Sequence, residues 1–215
     1  GMAAGVTDAG DTQRTDGRRH TESPMPLTSS DSAATGKGRI EPTPTWRPAS
    51  PEAFLRDLWP HAERAASDLG ARPEALLAQA ALETGWGKHM ISGTDGRNSF
   101  NLFGIKADSR WQGERVVTET VEYRDGVVQK EKAHVRAYTS VADSFRDYAD
   151  FLKSNPRYRA ALDAASDAPT YTRALEDAGY ATDPEYATKI NQIMGSNRFR
   201  EALGEIKEGS LKPLS

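Results

Sequence analysis

The sequence predicts an α+β domain in which helices stand on both sides of a single β-hairpin. Three observations carry this. Helix-forming segments with recognisable ends occur at 51–69, 73–84 and 141–152. Between the second and third, residues 114–138 turn to β-branched alternation broken by Arg124-Asp125-Gly126, a hairpin signal. The first 49 residues hold only Met2, Val6, Met25, Leu27, Ile40 and Trp46 as large apolar side chains, too few to offset the entropy of ordering. The expected organisation is a disordered tail or linker over 1–49, a folded domain over 50–207 and a flexible end over 208–215.

In chain order, Ser50 caps the first helix and Pro51 occupies its first position. Phe54, Leu55, Leu58, Trp59, Ala62, Ala65, Ala66 and Leu69 follow a helical period, Pro60 should kink or split the helix, and Gly70 stops it. Residues 92–99 are turn chemistry. In the first strand, alternation sets Thr118, Thr120 and Glu122 on one face and Val117, Glu119, Val121 and Tyr123 on the other. Ser140 caps the next helix, whose core stripe is Val141, Phe145, Tyr148, Phe151 and Leu152. Asn155-Pro156 ends it. Short helices follow near 158–162 and from Pro169 to Gly179, then one capped by Asp183, and a last one over about 197–207.

The bulk composition excludes several classes of function. With 28 basic and 31 acidic residues the net charge is −3, so neither nucleic acid nor an anionic membrane is an expected partner. No apolar run approaches the roughly 18 residues of a membrane span, and no apolar signal core opens the chain. The absence of cysteine rules out disulfides, thiol catalysis and Cys-ligated zinc. His20, His61, His89 and His134 are never three or four apart, so no helical His pair for a metal exists and no cofactor is expected.

Everything is organised around Leu76 to Gly87. Pro73 suits a first helical turn, and apolar residues occupy every face up to Glu83, so the helix should be buried. Gly85 can close it in the left-handed conformation. Glu83 then sits in the last turn of a buried helix. Desolvation and the negative end of the helix dipole both disfavour its carboxylate, as a general acid requires.

Four segments appear in order: Ala80-Ala81-Leu82-Glu83-Thr84-Gly85-Trp86-Gly87; Asn101-Leu102-Phe103-Gly104-Ile105-Lys106; Tyr138-Thr139-Ser140 with Ser144-Phe145-Arg146-Asp147-Tyr148; and Ala178-Gly179-Tyr180-Ala181-Thr182-Asp183-Pro184 with Tyr186. Together they resemble glycoside hydrolase family 73, the peptidoglycan N-acetylglucosaminidases, over about residues 51–207. The nearest pattern is the hydrolase domain carried by flagellar rod-assembly proteins. The resemblance implies a lysozyme-like fold with a glycan groove between a helical lobe and a small β-lobe. It implies peptidoglycan strands as substrate and periplasmic work after export without a cleavable signal peptide. It also implies flagellar rod proteins as partners, through an N-terminal domain that this chain is expected to lack. Glu83 matches the family's catalytic acid, and Glu122 falls where many members carry a second acid. Tyr180 matches a tyrosine lining the groove, and Trp86, Asn101, Phe103 and Tyr186 are motif residues expected to shape the site and bind substrate.

Glycoside hydrolysis commonly uses two carboxyl groups. Glu83 suits proton donation, and Glu122 suits activation of water, with Glu119 as its rival on the opposite strand face. The substrate's own N-acetyl group is the alternative to a second acid. A lytic transglycosylase or muramidase with one catalytic Glu, and a non-catalytic glycan-binding module, are the competing functions. The hairpin carries many charges and few large apolar residues, so it is expected to be among the less stable parts of the domain. Glu122 is expected to reach its working distance only when glycan binds.

Overall fold

The computed structural model describes residues 45–211, with side chains to 209. The tail expected over 1–49 thus lies outside the described residues up to position 44, as do residues 212–215.

Helix α1 spans Pro51–Leu69, with Ser50 Oγ accepting from Ala53 N and Gly70 closing the helix at φ 68°. All its buried side chains are the apolar ones of the expected stripe. Of the two expected effects of Pro60, a kink or a split, the split does not occur: α1 is one continuous helix. Pro60 and Arg56 both face solvent, so the carbonyl that loses its partner can be hydrated instead. Helix α2, Pro73–Thr84, is buried from Ala75 to Ala81. It packs against α1, and against α5 (Ala168–Asp177) and α6 (Tyr186–Gly195). Helix α3, Val141–Ser154, and helix α7, Asn197–Leu211, lie against α1. A 3-10 turn, Pro156–Tyr158, and the short α4, Arg159–Asp163, link α3 to α5.

The buried aromatics come from far apart in the chain: Phe54, Phe103, Phe145, Tyr148, Tyr158, Tyr171, Tyr180, Tyr186 and Phe199 share one core with Leu76 and Leu77 of α2. A second, small cluster of Ile91, Val116, Val135 and Ala137 sits at the base of the hairpin.

Strands β1, Arg115–Arg124, and β2, Val127–Arg136, pair antiparallel with Arg124 opposite Val127. The two turn residues, Asp125 and Gly126, have φ 51° and 77°. Two positive values give the turn whose twist matches that of the flanking strands. Val116, Thr118, Thr120 and Glu122 are buried while Arg115, Glu119 and Val121 are exposed. The expected face assignment therefore describes β1, and it separates Glu122 from Glu119. Residues Val127–Lys130 of β2 stand in solvent. One face of β1 is thus buried, while the tip of β2 stands free of the domain.

Contacts with the domain begin ahead of residue 50. Trp46 packs on Phe54 with ring centroids 5.7 Å apart and donates from Nε1 to Asp57 Oδ2 at 3.0 Å. Its indole is partly buried against the main core. A single Trp in a polar, proline-rich stretch was too little pattern to mark a boundary.

Candidate active site

Helix α2 ends in three successive residues of positive φ, Gly85 at 54°, Trp86 at 60° and Gly87 at 82°. Thr84 holds the turn by donating from Oγ1 to Ala80 O at 2.8 Å and accepting from Gly87 N at 3.0 Å. A Cβ on Gly87 would fall 2.6 Å from Pro48 Cγ, so both backbone angle and space demand glycine. The turn stops the helix one residue after Glu83.

Glu83 is 8 % exposed, and its Oε1 accepts from the Tyr186 hydroxyl at 2.9 Å. The Tyr186 oxygen in turn accepts from Gln79 Nε2 at 2.8 Å, and Gln79 Oε1 accepts from the Tyr148 hydroxyl at 2.6 Å. Tyr148 and Tyr171 are hydrogen-bonded through their hydroxyls. Burial first, and then the neighbouring Glu83 carboxylate, hold the Tyr180 and Tyr186 phenols well above the ordinary tyrosine value. Both phenols are therefore neutral hydrogen-bond donors at neutral pH.

Glu122 is 0 % exposed. Its Oε1 lies 2.9 Å from Lys106 Nζ and its Oε2 accepts from Thr182 Oγ1 at 2.6 Å. The same Thr182 oxygen accepts from Tyr123 N at 3.0 Å, which ties β1 to the loop ahead of α6. Glu122 suits a base only if its strand face turns toward the groove; here it is half of an enclosed ion pair. Such a pair holds only while both partners and their hydrogen bonds are kept, since a lone buried charge is costly. Glu119 points the other way, with its nearest cation, Lys130 Nζ, 3.7 Å away at the surface.

Four of the five residues expected to bind glycan have almost no surface with which to do so. Asn101, Phe103 and Tyr186 are fully buried and Tyr180 is 1 % exposed. Their place is behind the site. The Asn101 amide nitrogen donates to Ile105 O at 2.8 Å and Arg136 O at 2.9 Å, and its oxygen accepts from Phe103 N and Ile105 N. It pins the loop that delivers Lys106 to Glu122. Phe103 stacks on Tyr148 at 4.0 Å. The Tyr180 hydroxyl donates to Phe103 O at 2.7 Å, and its ring stacks on Tyr186 at 5.8 Å. Trp86, the fifth, is partly buried and meets the edges of Phe54 and Phe199.

The loop between α5 and α6 is held by Asp183, one turn ahead of the helix it was expected to cap. Its Oδ1 accepts from Glu185 N at 2.8 Å and its Oδ2 pairs with Lys189 Nζ at 2.5 Å. Beyond the Gly85–Gly87 turn a cleft of about 880 Å³ opens between Thr45–Pro48 and Lys88–Met90, with Arg97 and Asp95 on its far wall. Neither Glu83 nor Glu122 lines it. Among the described residues no three His, Asp or Glu side chains converge as a metal site requires.

Three participants escaped the sequence reading: Gln79, Lys106 and Thr182. Gln79 left a signal, being the one amide in an apolar run one helical turn before Glu83. A buried amide needs partners. Lys106 and Thr182 lie inside the motif segments, but only the fold brings them to Glu122.

Residues 59–199 match the family profile described as mannosyl-glycoprotein endo-beta-N-acetylglucosaminidase, the glucosaminidase family. The chain is 50 % identical over 144 residues to the peptidoglycan hydrolase FlgJ of Vibrio parahaemolyticus, covering 67 % of this chain and 46 % of that protein. It therefore spans less than half the length of that relative. The structure is similar to a peptidoglycan hydrolase mutant from Sphingomonas sp. A1, with TM-score 0.68 and 44 % identity over 72 % of this chain and 99 % of that one. It is also similar to a C-terminally truncated glycoside hydrolase domain of Salmonella typhimurium FlgJ, with TM-score 0.55 and 41 % identity over 67 % and 95 % of the two chains. The fold is the lysozyme-like α+β arrangement expected.

Proposed function

From the premise that the chain belongs to the glucosaminidase family, we propose that it hydrolyses the glycan strands of peptidoglycan as an endo-β-N-acetylglucosaminidase. The observation that carries this is Glu83: a nearly buried carboxyl at the end of a buried helix, gripped by a tyrosine, inside the matched segment.

Glu83 donates its proton to the glycosidic oxygen as the bond to the anomeric carbon breaks. Water adds at that carbon and gives up a proton. Glu122 is the candidate to receive it, once freed from Lys106 and Thr182 by movement of the hairpin. Its enclosure equally favours a second route, in which the substrate's N-acetyl oxygen attacks the anomeric carbon and no second acid is needed. The substrate lies outside the cytoplasmic membrane, so the place of work is the periplasm. Opening the wall for a flagellar rod is the setting the resemblance implies, with rod proteins as partners. Among the described residues no helix is long and apolar enough to cross a membrane.

The test is digestion of purified peptidoglycan followed by mass spectrometry. Reducing N-acetylglucosamine ends are expected from the wild type. Glu83→Gln should lower the rate about 10²- to 10⁴-fold while leaving the fold intact. Products ending in 1,6-anhydro-muramic acid would make the enzyme a lytic transglycosylase, and near wild-type activity in Glu83→Gln would remove the acid assignment.

A further inference from the structure

The hydrogen bonds behind Glu83 form a line from Tyr171 through Tyr148, Gln79 and Tyr186 to the carboxyl. Each hydroxyl in it has one hydrogen, so the line can be polarised in only two ways. In the first, Tyr171 donates to Tyr148, Tyr148 to Gln79 Oε1, Gln79 Nε2 to Tyr186, and Tyr186 to Glu83 Oε1. Every hydroxyl hydrogen then has an acceptor. In the second, Glu83 must carry a proton on Oε1, the Gln79 amide must turn over, and Tyr148 donates to Tyr171. The Tyr171 hydrogen then has nowhere to go, since Tyr148 is the one hydrogen-bond partner of its hydroxyl among the described residues. That hydroxyl is fully buried, and an orphaned buried donor is costly. The first polarity wins.

We infer that Gln79 is a positioning residue for the acid: by donating to the Tyr186 oxygen it keeps the Tyr186 hydrogen on Glu83 Oε1, so the transferable proton is carried by Oε2. This rests on Glu83 being the general acid. It has a second effect. A hydrogen bond given to the carboxylate favours the charged form and opposes the influence of burial and of the helix end. Gln79 therefore holds down the pH at which the acid loses its proton.

The other groups around Glu83 leave this logic intact. Tyr186 comes from α6 and Tyr180 from the loop ahead of it, and both phenols remain protonated. So do Tyr148 and Tyr171, raised by burial. Helix α1 buries only apolar side chains. The His89 ring lies against Gly85, is exposed, and is present unchanged in every variant below.

The experiment follows the Glu83 carboxyl by carbon-13 NMR in glutamate-labelled protein, its resonance identified by its loss in Glu83→Gln. Two variants are titrated beside the wild type. Gln79→Leu removes the amide. The Gln79→Leu, Tyr148→Phe, Tyr171→Phe triple variant removes the amide and both hydroxyls together, so that no buried donor is left orphaned. It serves if Gln79→Leu does not fold. The Glu83 midpoint should rise by about half a unit to one unit in either variant. The alkaline limb of the peptidoglycan pH–rate profile should rise with it, because the acid must be protonated to act. A purely structural Gln79 would lower the melting temperature and leave both midpoint and limb in place, and that result overturns the inference. An active Glu83→Gln is a different failure: it removes the acid itself, and the inference with it.

Discussion

At the scale of single residues, the two carboxyls first singled out are held in opposite ways. Glu83 receives hydrogen bonds from neutral tyrosine chemistry, whereas Glu122 is locked to a cation. A base that activates water must leave that lock. If it does so during turnover, Glu122→Gln should lower kcat by about 10²-fold or more, while Glu119→Gln, exposed on the other strand face, should change it by less than about twofold. Steady-state kinetics on one peptidoglycan preparation, with a melting curve for each variant, makes the comparison. Small and equal effects would favour attack by the substrate's own N-acetyl group. The face of Glu122 was legible because strand alternation is a local rule. Its partners were not, since Lys106 lies 16 positions before it and Thr182 60 after. The same limit explains Asn101, Phe103, Tyr180 and Tyr186. The motifs marked them as belonging to the site, but only three-dimensional packing separates a residue that touches substrate from one that supports a neighbour.

At the scale of elements, helices were the most readable part, because period and caps are written in adjacent residues. Ser50, Ser140, Gly70 and Gly85 act as expected. Pro60 does not split α1, because the cost of a helical proline depends on which face it occupies. The loop from Gly179 to Glu185 carries much consequence, since it places Tyr180 and Thr182. Its anchor is Asp183. Burial pushes that carboxyl up, but the Lys189 ammonium and the Glu185 N–H outweigh burial and hold it below the ordinary value. The sign is then fixed. The stability it contributes is complete above the unfolded-state value of about 3.9 and is lost as pH falls through the lower folded-state value. Asp183→Asn should therefore melt at a lower temperature than wild type at pH 7. The gap should narrow below about pH 4. Calorimetry across this range checks both statements. A gap independent of pH would mean that the pairing with Lys189 contributes nothing.

At the scale of the whole molecule, the prediction concerns where the domain begins. Trp46 and Pro48 pack on Phe54 and Gly87, so a chain starting at Thr45 should melt with the full protein. One starting at Ser50 should lose about 1–3 kcal/mol, from the buried part of one indole and a hydrogen bond, and melt several degrees lower. Thermal unfolding of the two truncations beside the full chain decides it. Equal melting of both would return the boundary to residue 50.

The contact between Pro48 and Gly87 also sets the entry point of the described chain. Thr45 to Pro48 line the rim of the 880 Å³ cleft, close to the turn that terminates the Glu83 helix. A polymer that approached Glu83 across this turn would share its space with anything bulky attached ahead of Thr45. Tag size at the amino end thus becomes a variable of every assay on insoluble wall, and short soluble glycans, which need less clearance, should be indifferent to it.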